Sequence, residues 1–395
     1  MASSGIEAEV VARATPIDFG EIGEIPVARA EEFLAMKVLS ARRLRAMPAS
    51  ARLWYVRLMT INRTFTLSRR PDGELADLDL ASHELAITSP AEGQIQVRTT
   101  CLSIDPTIRI WMSDVPQYMP PIALGEVVRG LGVGVVEQSA HPGFAPGDRV
   151  VGLLGWATHP TLDVASSFVQ KLPAELPLTD AKLLSLLGMT TGLTAYFGLL
   201  DICDPKPGQT LVVDAAAGAV GALVGQIAKI KGCRVIGIAG GPEKCRYVTE
   251  ELGLDACIDY KLGQVGKGLD EHCPSGIDLC FENVGGPIFD EILLRMNNNG
   301  KVAICGLIAG YNDAGKRSPG PCNFSMVLMR RLRIEGFIVS DHGARFPAAT
   351  AELMQWAQQG RLKTREDIRT GFANLPETLR QLLRGEKHGK MLLQP

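Results

Sequence analysis

The chain has 395 residues, 46% hydrophobic and 21% charged, which is the mixture of a folded protein of two or three domains. Its 41 basic and 43 acidic side chains leave a formal net charge of −2, so no global field draws nucleic acid or an anionic membrane and selectivity must come from a local site. Nine cysteines with no C-x-x-C pair fit neither a disulfide framework nor a zinc ribbon and read as buried reduced thiols, and no apolar run is expected to reach the ~18 residues of a membrane span.

The N-terminus differs in character from the rest. Residues 1–33 carry seven acids and two arginines, whereas residues 34–58 carry Lys37, Arg42, Arg43, Arg45, Arg52 and Arg57 without an acid. An Arg-rich stretch suits organellar targeting, but the acidic lead-in argues against it. Membrane-surface binding is a second reading, and an arm preceding a natural start at Met59 a third. Residues 59–182 read as β-rich, with short apolar runs (Ile95–Leu102, Gly132–Gln138, Arg149–Leu154) between Gly, Pro and Asp turns, which suggests a barrel-like domain. The character changes near Leu183. From there apolar strands alternate with helix-length segments. The strands are expected at Thr210–Ala215, Arg234–Ala239, Ala256–Asp259, Ile277–Glu282, Lys301–Gly306 and Arg333–Val339, with helices at Val220–Lys231 and Glu243–Leu252. That alternation predicts α/β architecture with a doubly wound parallel sheet over residues 183–365. Residues 366–395 are expected to hold one helix, Pro376–Arg384, and a last strand, Lys390–Leu393.

The central motif, Asp214-Ala215-Ala216-Ala217-Gly218-Ala219-Val220-Gly221, follows a strand and opens a helix. It has the A-x-G-x-x-G form of the dinucleotide-binding turn. Gly218 lets the backbone approach a pyrophosphate, Gly221 lets helix and strand pack, and the helix N-terminus offers unpaired N–H groups. NAD-binding versions usually carry an acid at the end of the second strand. Here that strand ends Ile238-Ala239-Gly240-Gly241, followed by Lys244 and Arg246. Losing the acid and gaining cations fits the 2′-phosphate of NADP, although Glu243 could pair with either base on the surface.

From about Met59 to the end the chain resembles the zinc-independent medium-chain dehydrogenase/reductase superfamily, and within it the prostaglandin reductase and alkenal double-bond reductase group. The motifs that carry the resemblance are Leu102-Ser103-Ile104-Asp105-Pro106, Leu124-Gly125-Glu126-Val127, Gly188–Tyr196, Ala215–Lys231, Glu282–Gly286, Cys305-Gly306-Leu307-Ile308, Tyr311-Asn312 and Gly336–Asp341. The resemblance implies a GroES-like substrate domain (59–182), a Rossmann domain, and a C-terminal segment that returns to complete the first. It also implies NADP(H) in the cleft between them, with the pyrophosphate on Gly218, Ala219, Val220 and Gly221 and the 2′-phosphate side near Lys244 and Tyr260. Asn283, Cys305, Gly306, Leu307, Ile308, Tyr311, Phe337, Ile338 and Val339 are then expected around the ribose and nicotinamide. A homodimer in the cytoplasm, acting on a small molecule with no nucleic-acid or membrane partner, follows by the same analogy. Two positions depart from the group: Thr107 stands where relatives commonly have Tyr, and Lys387 replaces the nicotinamide-side Asn of a Gly-x-Asn-x-Gly-Lys motif.

The Gly-His-Glu zinc motif of metal-dependent cousins is replaced by Leu124-Gly125-Glu126, and the six histidines form no cluster with cysteines, so no metal is expected. The remaining chemistry is hydride transfer from nicotinamide to an electrophilic carbon, such as the β-carbon of an enal or enone. Tyr311 is the candidate donor to the developing oxyanion; it could equally pack or contact cofactor only, and a cofactor ribose hydroxyl could share the role. Trp111, Tyr118 and Trp156 are candidates for apolar pocket wall, with simple core as the alternative. Quinone or ketone reduction, or a non-catalytic NADP-binding redox sensor, are the competing functions.

Overall fold

The computed structural model describes residues 61–313 and 320–395, together with the backbone of two short N-terminal strands. The chain divides into two units, Met1–Thr60 and Ile61–Pro395. In the first, β1 (Thr15–Asp18) pairs antiparallel with β2 (Glu24–Val27). The basic stretch over residues 34–58 lies outside the described residues.

The second unit opens with a hairpin, β3 (Ile61–Leu67) against β4 (Leu80–Ala86). A seven-stranded sheet follows, containing β5 (Gln94–Ser103), β6 (Leu131–Ser139), β7 (Arg149–Leu153), β8 (Thr161–Asp163) and β9 (Gln170–Lys171). Glycines set how closely its strands approach: a Cβ on Gly134 would stand 2.4 Å from Val97 Cγ1 and 2.7 Å from the Arg98 carbonyl oxygen.

The parallel sheet contains β10 (Thr210–Val213), β11 (Arg234–Ala239), β12 (Ala256–Asp259), β13 (Ile277–Glu282), β14 (Met296–Ile304) and β15 (Arg333–Gly336). Its spatial order is β12-β11-β10-β13-β14-β15, the 3-2-1-4-5-6 order of the Rossmann fold, with the switch point between β10 and β13. β10 is buried on both faces, as a central parallel strand must be, and so reads as an unbroken apolar run. Three expected strands, β11 to β13, match their bounds. β14 and β15 end earlier than expected because the chain leaves the sheet there. The Cys305 and Gly306 N–H groups both bond the Glu282 carbonyl oxygen, at 2.9 and 3.1 Å. β15 is an edge strand, so Phe337–Val339 is free to turn away.

A helical run, Asp180–Cys203, precedes β10. At 24 residues it is long and apolar enough to cross a membrane, contrary to the expectation from sequence, but 72% of its most apolar stretch is buried inside the protein, as in a core helix. All nine cysteines are unpaired; Cys322 is exposed and Cys245, Cys257 and Cys305 are half-buried, so burial is not general.

The C-terminal segment joins the two sheets. The helix Leu375–Leu383 follows a strand that the sequence does not announce, β16 (Glu366–Thr370), and leads into β17 (Lys390–Gln394). β17 pairs parallel with β16 and antiparallel with β5, Leu392 opposite Ser103 and Leu393 opposite Leu102. Leu393 is fully buried in the cluster formed by Phe65, Leu102, Trp156 and the last helix. Leu393→Ala is therefore expected to cost about 2–5 kcal/mol in denaturant unfolding. A loss below about 1 kcal/mol would show that β17 is not integral to this core.

Candidate active site

The phosphate turn is shaped by steric exclusion. Ala215 adopts φ +44°, an unusual conformation for a residue with a side chain and one that recurs at functional sites. Its carbonyl oxygen then lies 2.5 Å from where a Cβ on Gly221 would be and 3.0 Å from one on Gly218. Ala216 is fully buried, its methyl packed where β11 has Gly237. The helix Ala219–Ile230 begins here with no side chain capping it, which leaves its first N–H groups for an anion.

The second corner of the site lies at the ends of β11 and β12. The Tyr260 ring packs 2.7–2.9 Å from where a Cβ on Gly240 would sit. Lys244 Nζ donates to the Gly385 carbonyl oxygen at 2.5 Å, which brings the segment after the last helix alongside. Burial first, and then the Lys261 charge, hold Lys244 below the ordinary lysine value. Asp259, beside the end of β11, accepts the Gly241 and Lys261 N–H groups at 2.7 and 3.0 Å, and Glu243 and Asp367 lie close enough to Lys244 to favour its charge. The last residues of β11 themselves carry no carboxylate.

Between the two sheets lies a cavity of about 410 Å³. It is lined by Gly218, Ala219, Val220 and Gly221, by Asn283, Cys305, Gly306, Ile308 and Tyr311, by Phe337, Ile338 and Val339, and by Thr107, Trp111, Tyr118 and Lys387. Four expected residues, Leu307, Lys244, Tyr260 and Trp156, do not line it. Leu307 points outward and is 46% exposed. Lys244 and Tyr260 stand at the separate corner described above. Trp156 is a correction of a different kind: it is fully buried, edge-on to Phe65 at 6.0 Å, and belongs to the core. Trp111 and Tyr118 do line the cavity, and they bring a polar edge as well. The Trp111 indole N–H donates to the Tyr118 hydroxyl at 2.8 Å, and that hydroxyl lies 2.7 Å from Thr107 Oγ1.

Tyr311 sits beyond the end of β14. Its hydroxyl accepts the Leu307 N–H at 3.1 Å, and its own proton has no acceptor among the described residues. Burial raises the phenol to about 12, so it stays protonated at neutral pH.

Two acid constellations supporting the cavity were missed by the sequence reasoning. Asp214, fully buried at the end of β10, accepts the Asn283 N–H at 2.7 Å and its side-chain amide at 3.2 Å. Glu282, fully buried at the end of β13, accepts the Val284 and Gly285 N–H groups at 2.7 and 2.5 Å. Burial, and then the Glu282 charge, push Asp214 well above the usual carboxylate range. The pair fixes Asn283 so that its side-chain oxygen is left for the cavity. The second is Asp105, which accepts from Ser103 Oγ at 2.5 Å and from Lys390 Nζ at 2.6 Å; both ions are nearly fully buried. The available signal was position, since each acid stands at or just beyond a strand end inside a motif already singled out. Among the described residues no group of three or more His, Cys, Asp or Glu side chains is gathered as for a metal.

A Rossmann sheet whose phosphate turn opens on a cleft against an antiparallel sheet defines a dinucleotide-dependent oxidoreductase. Residues 63–169 match the family model for the N-terminal domain of oxidoreductase, and residues 219–359 that for zinc-binding dehydrogenase. The chain is 42% identical over 338 residues to the NADPH-dependent curcumin reductase of Escherichia coli, covering 84% of this chain and 96% of that one. It is 38% identical over 338 residues to prostaglandin reductase 1 of Rattus norvegicus, covering 84% and 98%. The crystal structure of CurA in complex with NADPH from Vibrio vulnificus superposes with a TM-score of 0.79 at 40% identity, over 84% of this chain and 98% of that one. The chain belongs to the medium-chain dehydrogenase/reductase superfamily, in the group of the curcumin and prostaglandin reductases.

Gly221→Ala drives a methyl into the Ala215 carbonyl. It should abolish dinucleotide binding, read by fluorescence titration, while circular dichroism stays native. Binding within about threefold of wild type, a difference of only ~0.7 kcal/mol, would show that the turn has no such constraint.

Proposed function

We propose that this protein is an NADPH-dependent reductase of the activated carbon–carbon double bond in α,β-unsaturated aldehydes and ketones. The observation that carries the reading is Tyr311: a protonated phenol on the cavity wall, with its oxygen held by a backbone N–H and its proton unclaimed. The site fits the cofactor, because the turn excludes side chains where a pyrophosphate would lie and the second corner offers Lys244 beyond a β11 that ends without an acid of its own. The likeness to a curcumin reductase and a prostaglandin reductase supports a small-molecule substrate.

When bound, NADPH would supply the hydride to the β-carbon of the substrate and leave as NADP⁺, and a proton from solvent would complete the saturated product at the α-carbon. The chain's own task is to hold the carbonyl and steady the charge that moves onto its oxygen. Tyr311 donates a hydrogen bond there, most strongly as the oxygen becomes enolate-like, which lowers the barrier rather than only improving binding. Asn283 offers its side-chain oxygen to a ribose hydroxyl. Ile110, Met119 and Phe168 supply apolar wall for the remainder of the substrate, and the hydrogen-bonded trio Thr107, Tyr118 and Trp111 gives that wall one polar edge.

Tyr311→Phe should lower kcat by about 100-fold with NADP⁺ affinity nearly unchanged. Undiminished turnover would remove it from the chemistry. Lys244→Ala should raise KM for NADPH by roughly 10- to 100-fold and leave that for NADH nearly unmoved; an equal effect on both would refute its role at the 2′-phosphate. A panel of enals, enones and quinones assayed with NADPH, with product analysis, tests the substrate class. Turnover of quinones alone would overturn it.

A further inference from the structure

Three lysines converge near the phosphate turn, and they differ in what holds them. Lys390 is paired with Asp105 at 2.6 Å, and Lys244 donates to the Gly385 carbonyl oxygen. Lys387 has no hydrogen-bond or ion-pair partner among the described residues, yet it lines the cavity. Its Cε and Nζ lie 3.5 and 3.8 Å from where a Cβ on Gly218 would be. It is held there because Gly389, two residues on, bridges Gly218 in parallel fashion. An unpaired ammonium drawn out of water beside an uncapped helix N-terminus is a charge placed for an absent anion.

We propose that the Lys387 ammonium is the counter-charge to the dinucleotide's pyrophosphate at the Gly218 turn, so that cofactor binding takes up a proton and weakens in alkaline solution. The inference rests on the reading of the cavity as an NADPH site and assigns one residue within it. It also revises the expectation for this position, which moves from the nicotinamide to the phosphates.

The sign follows from the groups that face Lys387. Burial, then Lys390 and Lys244, push its ammonium down to about 8, with Asp105 opposing. Neighbouring His388 lies 3.5 Å from Glu243, and its N–H is bonded to Asp367, so neither acid neutralises Lys387. A pyrophosphate dianion stabilises the charged form and raises its value. Affinity is therefore flat below about pH 8 and falls above it, by up to about tenfold per pH unit.

The test is calorimetric titration of the intact chain with NADP⁺ between about pH 6.5 and 9.5, in two buffers of different ionisation enthalpy. Wild type should show proton uptake and the alkaline loss. Lys387→Met should raise the Kd for NADP⁺ at neutral pH roughly 10- to 100-fold and remove the Lys387 share of the proton uptake, leaving only that of Lys244. Its unliganded melting temperature should be no lower than wild type, since a desolvated charge is gone. Lys387→Arg, always charged, should retain affinity and lose the alkaline fall. Adenosine 2′-phosphate, which lacks the pyrophosphate, should bind wild type and Lys387→Met alike. An unchanged NADP⁺ Kd and pH slope in Lys387→Met, or an equal loss of adenosine 2′-phosphate affinity, would overturn the assignment while leaving the function standing. Failure of wild type to bind NADP⁺ at any pH would overturn both.

Discussion

The contact of Gly218 with Gly389 is the constraint on which the site depends. Gly389 can make it only as glycine: its φ is +87°, and a Cβ there would stand 2.2 Å from the Arg365 carbonyl oxygen. To one side the contact carries Lys387 over the phosphate turn; to the other it delivers Lys390 to Asp105 at the end of β5. One backbone approach thus brings the phosphate end of the parallel sheet to the Ser103–Asp105 end of the antiparallel sheet. A nucleotide turn alone is generic to many folds. A second sheet held against it turns the turn into a closed cleft of about 410 Å³.

How much of this was legible follows from where burial is symmetric. β11 and β13 lie inside the parallel sheet, covered on both faces, so their sequences are largely apolar and their bounds could be read directly; β12 lies at the sheet's edge, but its short run is closed off by Asp255 and Tyr260. β16 could not be read. Glu366-Asp367-Ile368-Arg369-Thr370 has one apolar residue, lies at a sheet edge, and owes its pairing entirely to β17. The ends of β14 and β15 were overextended for a related reason: Cys305–Gly306 and Phe337–Val339 are apolar because they line the cavity, and periodicity does not distinguish a cavity from a sheet.

The candidate site shows the same division. Residues within long local motifs (the Gly218 turn, Asn283, Tyr311) all line the one cavity, because local backbone geometry determines where they point. The aromatics did not sort by sequence. Trp111 and Trp156 are alike as letters, but one donates to Tyr118 at the cavity and the other is sealed against Phe65. Only the path of the chain through space separates them. Lys387 was legible as a departure, but its direction was not, because that depends on Gly389 meeting a residue 171 positions earlier in the chain.

The electrostatic layout gives these placements a common sense. On the phosphate side, Lys387 and Lys390 face one buried acid, Asp105, and Lys244 lies beyond them near Glu243 and Asp367, so positive charge gathers around the turn. On the ribose side, Asp214 and Glu282 are spent on backbone amides beneath Asn283, and the rise in Asp214 keeps that pair from presenting two full negative charges to the cavity. A polyanion is drawn to one end, and the other end stays close to neutral. In such a medium a single hydrogen bond to a developing oxyanion is stronger than in water, because little solvent competes with it. The cationic corner and the near-neutral pocket around Tyr311 are therefore two consequences of one arrangement, in which charge is gathered at one end of the cavity and kept from the other.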